Sequence, residues 1–234
     1  MKKFGLIIFC MFLAVLGGRT ALAAEEHKAS DLGIAAMAPA GKVDLESAKA
    51  HLKKAQDFFQ IESLDKAQEE YQLALKDNPN SAAAHFGLGY CQEMKNDLRG
   101  AVKEYLVAKQ LDPKHFESRA HLADIYVSMG IFDKAIQEYR SVLDIDPRYS
   151  QGLIKIGLVY RKQGMLAEAS EAFRSALAIN PESKLAIYNF ASCQKDRGNV
   201  KGACEELDRI REKVKTPEAK GLLDKILLDL CTAQ

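Results

Sequence analysis

The chain has 234 residues, of which 47% are hydrophobic and 28% charged. That balance excludes a wholly disordered chain and leaves room for one or two packed domains. With 33 basic and 32 acidic residues the net charge is +1, which gives no electrostatic case for nucleic acid or an anionic membrane surface.

The first element is a targeting segment. Lys2 and Lys3 precede the apolar run Phe4 to Leu16, and the small-residue run Ala21-Leu22-Ala23 follows. This is the three-part plan of a secretory signal peptide, residues 1–23, with the cut after Ala23. Thirteen apolar residues fall short of the ~20 that span a bilayer, so a retained N-terminal membrane anchor is the lesser alternative. Cleavage predicts an exported protein, periplasmic or secreted, with no membrane insertion afterwards. Removing Lys2, Lys3 and Arg19 takes 33 basic residues to 30 against 32 acids. Residues 24–43 show no period and read as a flexible linker.

From Asp44 onward the chain repeats. Pro79, Pro113, Pro147 and Pro181 recur every 34 residues, each after Asp or Asn. The columns Ala67, Ala101, Ala135, Ala169, Ala203 and Tyr71, Tyr105, Tyr139, Phe173, Leu207 keep the same step, as do the small residues Ala55, Gly89, Ala123, Gly157 and Ala191. Two antiparallel helices per repeat explain these columns. A small residue on the first helix faces the alanine on the second, and the large ring one turn later fills the space beside them. Asn96, Gly130, Gly164 and Gly198 fall where the two helices turn, a place that needs tolerance of positive φ. Proline ends the second helix because it cannot continue the hydrogen-bond ladder.

A 34-residue helix–turn–helix period carried by these columns resembles the tetratricopeptide-repeat family closely. The resemblance covers residues 44–217 as five repeats, 48–81, 82–115, 116–149, 150–183 and 184–217. It implies an all-α, right-handed superhelical solenoid whose first helices line a concave groove. Pro217 opens a last helix, Glu218 to about Cys231, with Leu222, Leu223, Ile226, Leu227 and Leu230 at helical spacing. Residues 218–234 are accordingly a capping helix and tail that cover the open end of the fifth repeat.

Register on the first helices gives a partner-binding groove of Phe59, Phe86, Tyr90, Met94, Ile154, Leu158, Arg161, Tyr188 and Lys195. It is apolar and aromatic for much of its length, with a basic end at Arg161, Lys162 and Lys195. The plainer reading is that Phe86, Ile154 and Tyr188 only pack against neighbouring helices. Family members that clamp the C-terminal carboxylate of chaperones use Lys, Asn and Arg. The corresponding Leu52, Gln56, Gly87, Glu117 and His121 do not supply that set.

No catalytic constellation is visible. H-E-x-x-H, G-x-S-x-G, P-loop and G-x-G-x-x-G patterns are all missing, and Gly87-Leu88-Gly89 lies inside a predicted helix where small residues serve packing. His51 and His85 share a column and read as half-buried residues with hydrogen-bond partners, not metal ligands. His115 and His121, six apart, are poorly spaced for one helix face. Glu69–Glu70 and Glu205–Glu206 read as solvated surface charge. No metal, cofactor or enzymatic activity is expected.

Cys91, Cys193, Cys204 and Cys231 remain after signal removal. Antiparallel packing of the fifth repeat's second helix with the cap would bring Cys204 and Cys231 together as a disulfide staple. Cys193 competes for Cys204, and the alternative is that all four are small buried hydrophobes. The function that follows is a non-catalytic scaffold or adaptor in the cell envelope, binding a protein or peptide. The alternative is self-association into a structural homo-oligomer.

Overall fold

The structure, a computed structural model, describes residues 43–231. The expected signal peptide at 1–23 and all but the last residue of the 24–43 linker lie outside the described residues. Eleven helices and no strands occupy the described chain. They fall into two compact units, one ending at Ile131 and the other starting at Phe132.

Unit 1 holds α1 (Leu45–Gln60), α2 (Leu64–Asp77), α3 (Ala82–Met94), α4 (Leu98–Leu111) and α5 (Phe116–Ser128). Four of these five helices start at a side-chain cap, α2 being the exception. Asp44, Ser81 and Asp97 each accept a hydrogen bond from the amide three residues on, and His115 Nδ1 does the same for α5. Such caps satisfy backbone donors that the helix itself leaves open. Each helix packs on the next in the chain, α1 on α2 through to α4 on α5. Ala55, Ala67, Tyr71, Ala74, Ala84, Leu88 and Cys91 form a buried core, with Leu52, Phe58, Phe59 and Leu75 against it.

Unit 2 holds α6 (Phe132–Ile145), α7 (Ser150–Lys162), α8 (Leu166–Ile179), α9 (Lys184–Asp196), α10 (Val200–Lys213) and α11 (Pro217–Cys231). Neighbours in sequence again pack together, and α9 also touches α7 and α11. Ile154, Phe173, Leu177, Ile187, Phe190, Leu207, Ile210, Leu223 and Leu230 are the large members of one buried cluster. Helix α11 starts one residue before the expected Glu218, because Pro217 suits the first helical position.

The turns follow the repeat. Glu62, Asn96, Gly130, Gly164 and Gly198 all have positive φ, between 58° and 76°, at a step of 34 residues. Glu62 fills a place that composition did not mark. The small-residue column is a steric requirement: a Cβ on Gly89 would come within 2.9 Å of the Tyr105 ring, and one on Gly157 within 2.7 Å of Phe173.

Candidate partner-binding surfaces

In unit 1 the first-helix positions assemble an aromatic surface. Phe59 on α1 lies 5.0 Å from Tyr90 on α3, ring centre to ring centre, and Tyr90 stacks on Phe86 one turn earlier. Phe86 also meets Tyr105 at 5.7 Å. Phe59, Phe86 and Tyr90 are all half-buried, so each keeps one part in the protein and one in solvent. Met94 is 56% exposed beyond them.

Two histidines complete this surface, and the spacing argument missed them. His115 and His121 both reach Phe86, at 4.9 and 5.6 Å. His115 manages this because it is the N-cap of α5 and stands off the helix, so helical spacing does not govern it. His121 also lies 5.0 Å from Tyr90 and 5.4 Å from Tyr105. Beneath them, Glu93 Oε2 accepts from the Tyr105 hydroxyl at 2.6 Å and from His121 Nδ1 at 2.9 Å. Burial, reinforced by this carboxylate, pushes the Tyr105 phenol far above its ordinary value, so it stays a donor. The network holds Phe86 and Tyr90 from below in a set orientation.

His51 and His85 are tied to carboxylates 19 residues on, His51 Nδ1 to Glu70 and His85 Nδ1 to Glu104, both at 2.6 Å. Glu70 is therefore not the solvated charge that sequence implied. It is half-buried and spans α1 to α2. Glu206, likewise half-buried, pairs with Arg209 at 3.2 Å, while Glu69 and Glu205 stand exposed.

Unit 2 divides its expected positions differently. Ile154 is only 1% exposed and belongs to the core, so it offers no surface to a partner. Leu158 is partly buried against the same cluster. Tyr188, in the same repeat column as Ile154, is 58% exposed, and Leu185 one turn earlier is 50% exposed. Arg161, Lys162 and Lys195 are exposed. The Arg161 guanidinium reaches from α7 to donate to Asn189 Oδ1 on α9. Asn189 is 2% exposed, and its Nδ2 donates to the Leu185 carbonyl at 2.7 Å. Gln194 is buried and its Oε1 accepts from Arg197 and Asn199.

Cys204 on α10 and Cys231 on α11 are joined by a disulfide, with Cα atoms 6.2 Å apart. Cys91 and Cys193 are buried free thiols. Burial pushes Cys91 up to about 11 and raises Cys193 as well, so neither is poised as a nucleophile. No helix among the described residues is long and apolar enough to cross a membrane.

Family models described as tetratricopeptide repeats match residues 52–116, 123–164 and 160–226, together most of the described chain. The chain belongs to the tetratricopeptide-repeat family. Solved structures with the same fold include MamA, at 20% identity over 72% of this chain and 92% of that one, with a TM-score of 0.64. PilF of Pseudomonas aeruginosa aligns at 19% identity over 80% of this chain and 85% of that one, with a TM-score of 0.63. YrrB, described as a tetratricopeptide-repeat protein with an unusual peptide-binding site, aligns at 19% identity over 77% and 93%, with a TM-score of 0.59. At these identities the likeness establishes the helical solenoid and nothing finer. No curated protein sequence matches the chain significantly.

Proposed function

We propose that this protein is a non-catalytic scaffold of the cell envelope that binds a protein or peptide on its first-helix faces. One observation carries the reading. Phe59, Phe86 and Tyr90 are held half-exposed in a continuous aromatic surface by a hydrogen-bonded Tyr105–Glu93–His121 network. Oriented aromatics with an open face are the usual anchors of a binding hot spot, since they add contact area at small entropic cost. Stacked helical repeats supply extended binding surfaces in general, and YrrB, of the same fold, is described with a peptide-binding site. The Cys204–Cys231 bond supports export, because disulfides persist in oxidising compartments.

Affinity capture from an envelope extract tests the reading, with the chain as bait beside a Tyr90→Ala/Met94→Glu variant. Both positions reach solvent, so circular dichroism should be unchanged. A partner held by the native bait and lost by the folded variant supports the scaffold. The same partners on both baits would sink the aromatic surface as the binding site. Oligomers by light scattering without any captured partner would favour self-association instead.

A further inference from the structure

A cleft of about 500 Å³ opens in unit 2 along α6, which is the second helix of its repeat, and is closed by the end of α7 and the α7–α8 turn. Asp133, Gln137, Arg140 and Asp144 recur at steps of four, three and four residues, so they share the face of α6 that lines it. Tyr160, Gln163 and Met165 form the opposite wall. The size is that of a small-ligand site, ~300–1,000 Å³.

The polar groups of this cleft are held apart from one another. Arg140 and Asp144 stand one helical turn apart, the spacing at which opposite charges join. Among the described residues they do not join. The Arg140 guanidinium instead reaches to α7 and donates through Nη2 to the Tyr160 hydroxyl at 2.8 Å. That bond fixes the guanidinium with most of its N–H groups unspent, and it leaves the hydroxyl proton of Tyr160 to be donated elsewhere. The Asp144 and Asp133 carboxylates and the Gln137 and Gln163 side-chain amides also have no partner among the described residues.

This set selects a ligand by elimination. An anion would meet two carboxylates, and a dication would meet Arg140 between them. Asp133 and Asp144 lie ~16 Å apart along the helix axis, at 1.5 Å per residue, too far to share one cation. No group among the described residues could hold a metal ion. An apolar ligand would strip water from the polar wall and give nothing back, since only Ile136 and Met165 of the lining are wholly apolar. A hydroxyl both donates and accepts, so a neutral polyol satisfies carboxylate, guanidinium and amide together. Its C–H faces can lie on Ile136, Met165 and the Tyr160 ring.

We infer that the α6–α7 cleft of unit 2 binds a neutral saccharide of one or two rings. This goes beyond the scaffold reading and does not depend on the aromatic surface of unit 1.

The test is isothermal titration of the full chain with N,N′-diacetylchitobiose and with maltose, beside putrescine as a dication and glycylglycine as a zwitterion. At least one disaccharide should bind, and about 0.5 M salt should leave its affinity within roughly twofold, because a neutral ligand has no charge to screen. Arg140→Ala and Asp144→Ala, both at exposed positions, should each weaken it roughly tenfold with circular dichroism unchanged. Tyr160→Phe removes only the hydroxyl and should weaken it about fivefold. Tyr90→Ala/Met94→Glu should bind the sugar like the native chain. Binding of neither disaccharide would overturn the inference, as would native affinity in both alanine variants. Tighter, salt-sensitive binding of putrescine or glycylglycine would refute the neutral class, and loss of sugar binding in Tyr90→Ala/Met94→Glu would refute the cleft as the site.

Discussion

Cutting the Cys204–Cys231 bond is the most quantitative perturbation of unit 2. The cross-link closes a loop with a sequence separation of 27. In the chain-entropy model that loop removes ~12 cal/mol/K from the unfolded ensemble, about 3.5 kcal/mol at 25 °C. Helix α11 keeps Ala219, Leu223 and Leu230 in the core after the cut, so it should stay docked but open far more often. The Cys204→Ser/Cys231→Ser variant should lose on the order of 3 kcal/mol of protection at α11 amides, some hundredfold faster hydrogen exchange, while α1–α4 are unchanged. Thiol titration under denaturing conditions supplies the control, since the native chain should show two fewer thiols before reduction than after. Equal thiol counts would remove the bond. Unchanged exchange at α11 would show that the cap owes its stability to packing alone.

Three further outcomes follow from packing and titration. Gly87→Ala places a Cβ 2.2 Å from the Tyr71 ring, whereas Gly221→Ala on α11 meets nothing within 4 Å. Both gain up to ~1 kcal/mol of helix propensity, but overpacking at Gly87 costs about 1–3 kcal/mol, so denaturant midpoints should move in opposite directions, and parallel shifts would refute the contact. Ile154→Glu buries a charge and should cost more than about 4 kcal/mol, while Tyr188→Glu should stay within about 0.5 kcal/mol, both read by thermal melting. The Tyr71 phenol is pushed up from 10.0 to about 12, by burial first and by Cys91 second. Its stabilising contribution is whole below pH 10 and disappears between pH 10 and 12, on the order of 2 to 3 kcal/mol. Tyr71→Phe should therefore lose less stability than the native chain over that interval, and superimposable pH profiles would contradict the argument.

Much of this molecule is legible along the chain because its rules are local and recur. Proline every 34 residues, a small residue opposite a ring, and glycine or asparagine at a positive φ are each a backbone or steric demand that one repeat imposes on itself. The helix pairs, the turns and the Tyr and Phe column accordingly lie where periodicity put them. Glu62 shows the limit of that reading, since the turn forces positive φ on whatever residue stands there.

The surfaces were decided by neighbours instead. His115 joins His121 on Phe86 only because a cap residue leaves the helix, and Glu93 reaches Tyr105 and His121 only once α3, α4 and α5 are packed together. Arg161 meets Asn189 across 28 residues of sequence. Ile154 and Tyr188 make the point most sharply, because they occupy one column of the repeat. The first is sealed in the core of unit 2, where α8 and α9 pack on α7, while the second stands open because α11 docks on α10 and another side of α9. Sequence determined which residues the repeat could leave open on its first helices; burial, which depends on the helices stacked against each one, determined which of them reach solvent.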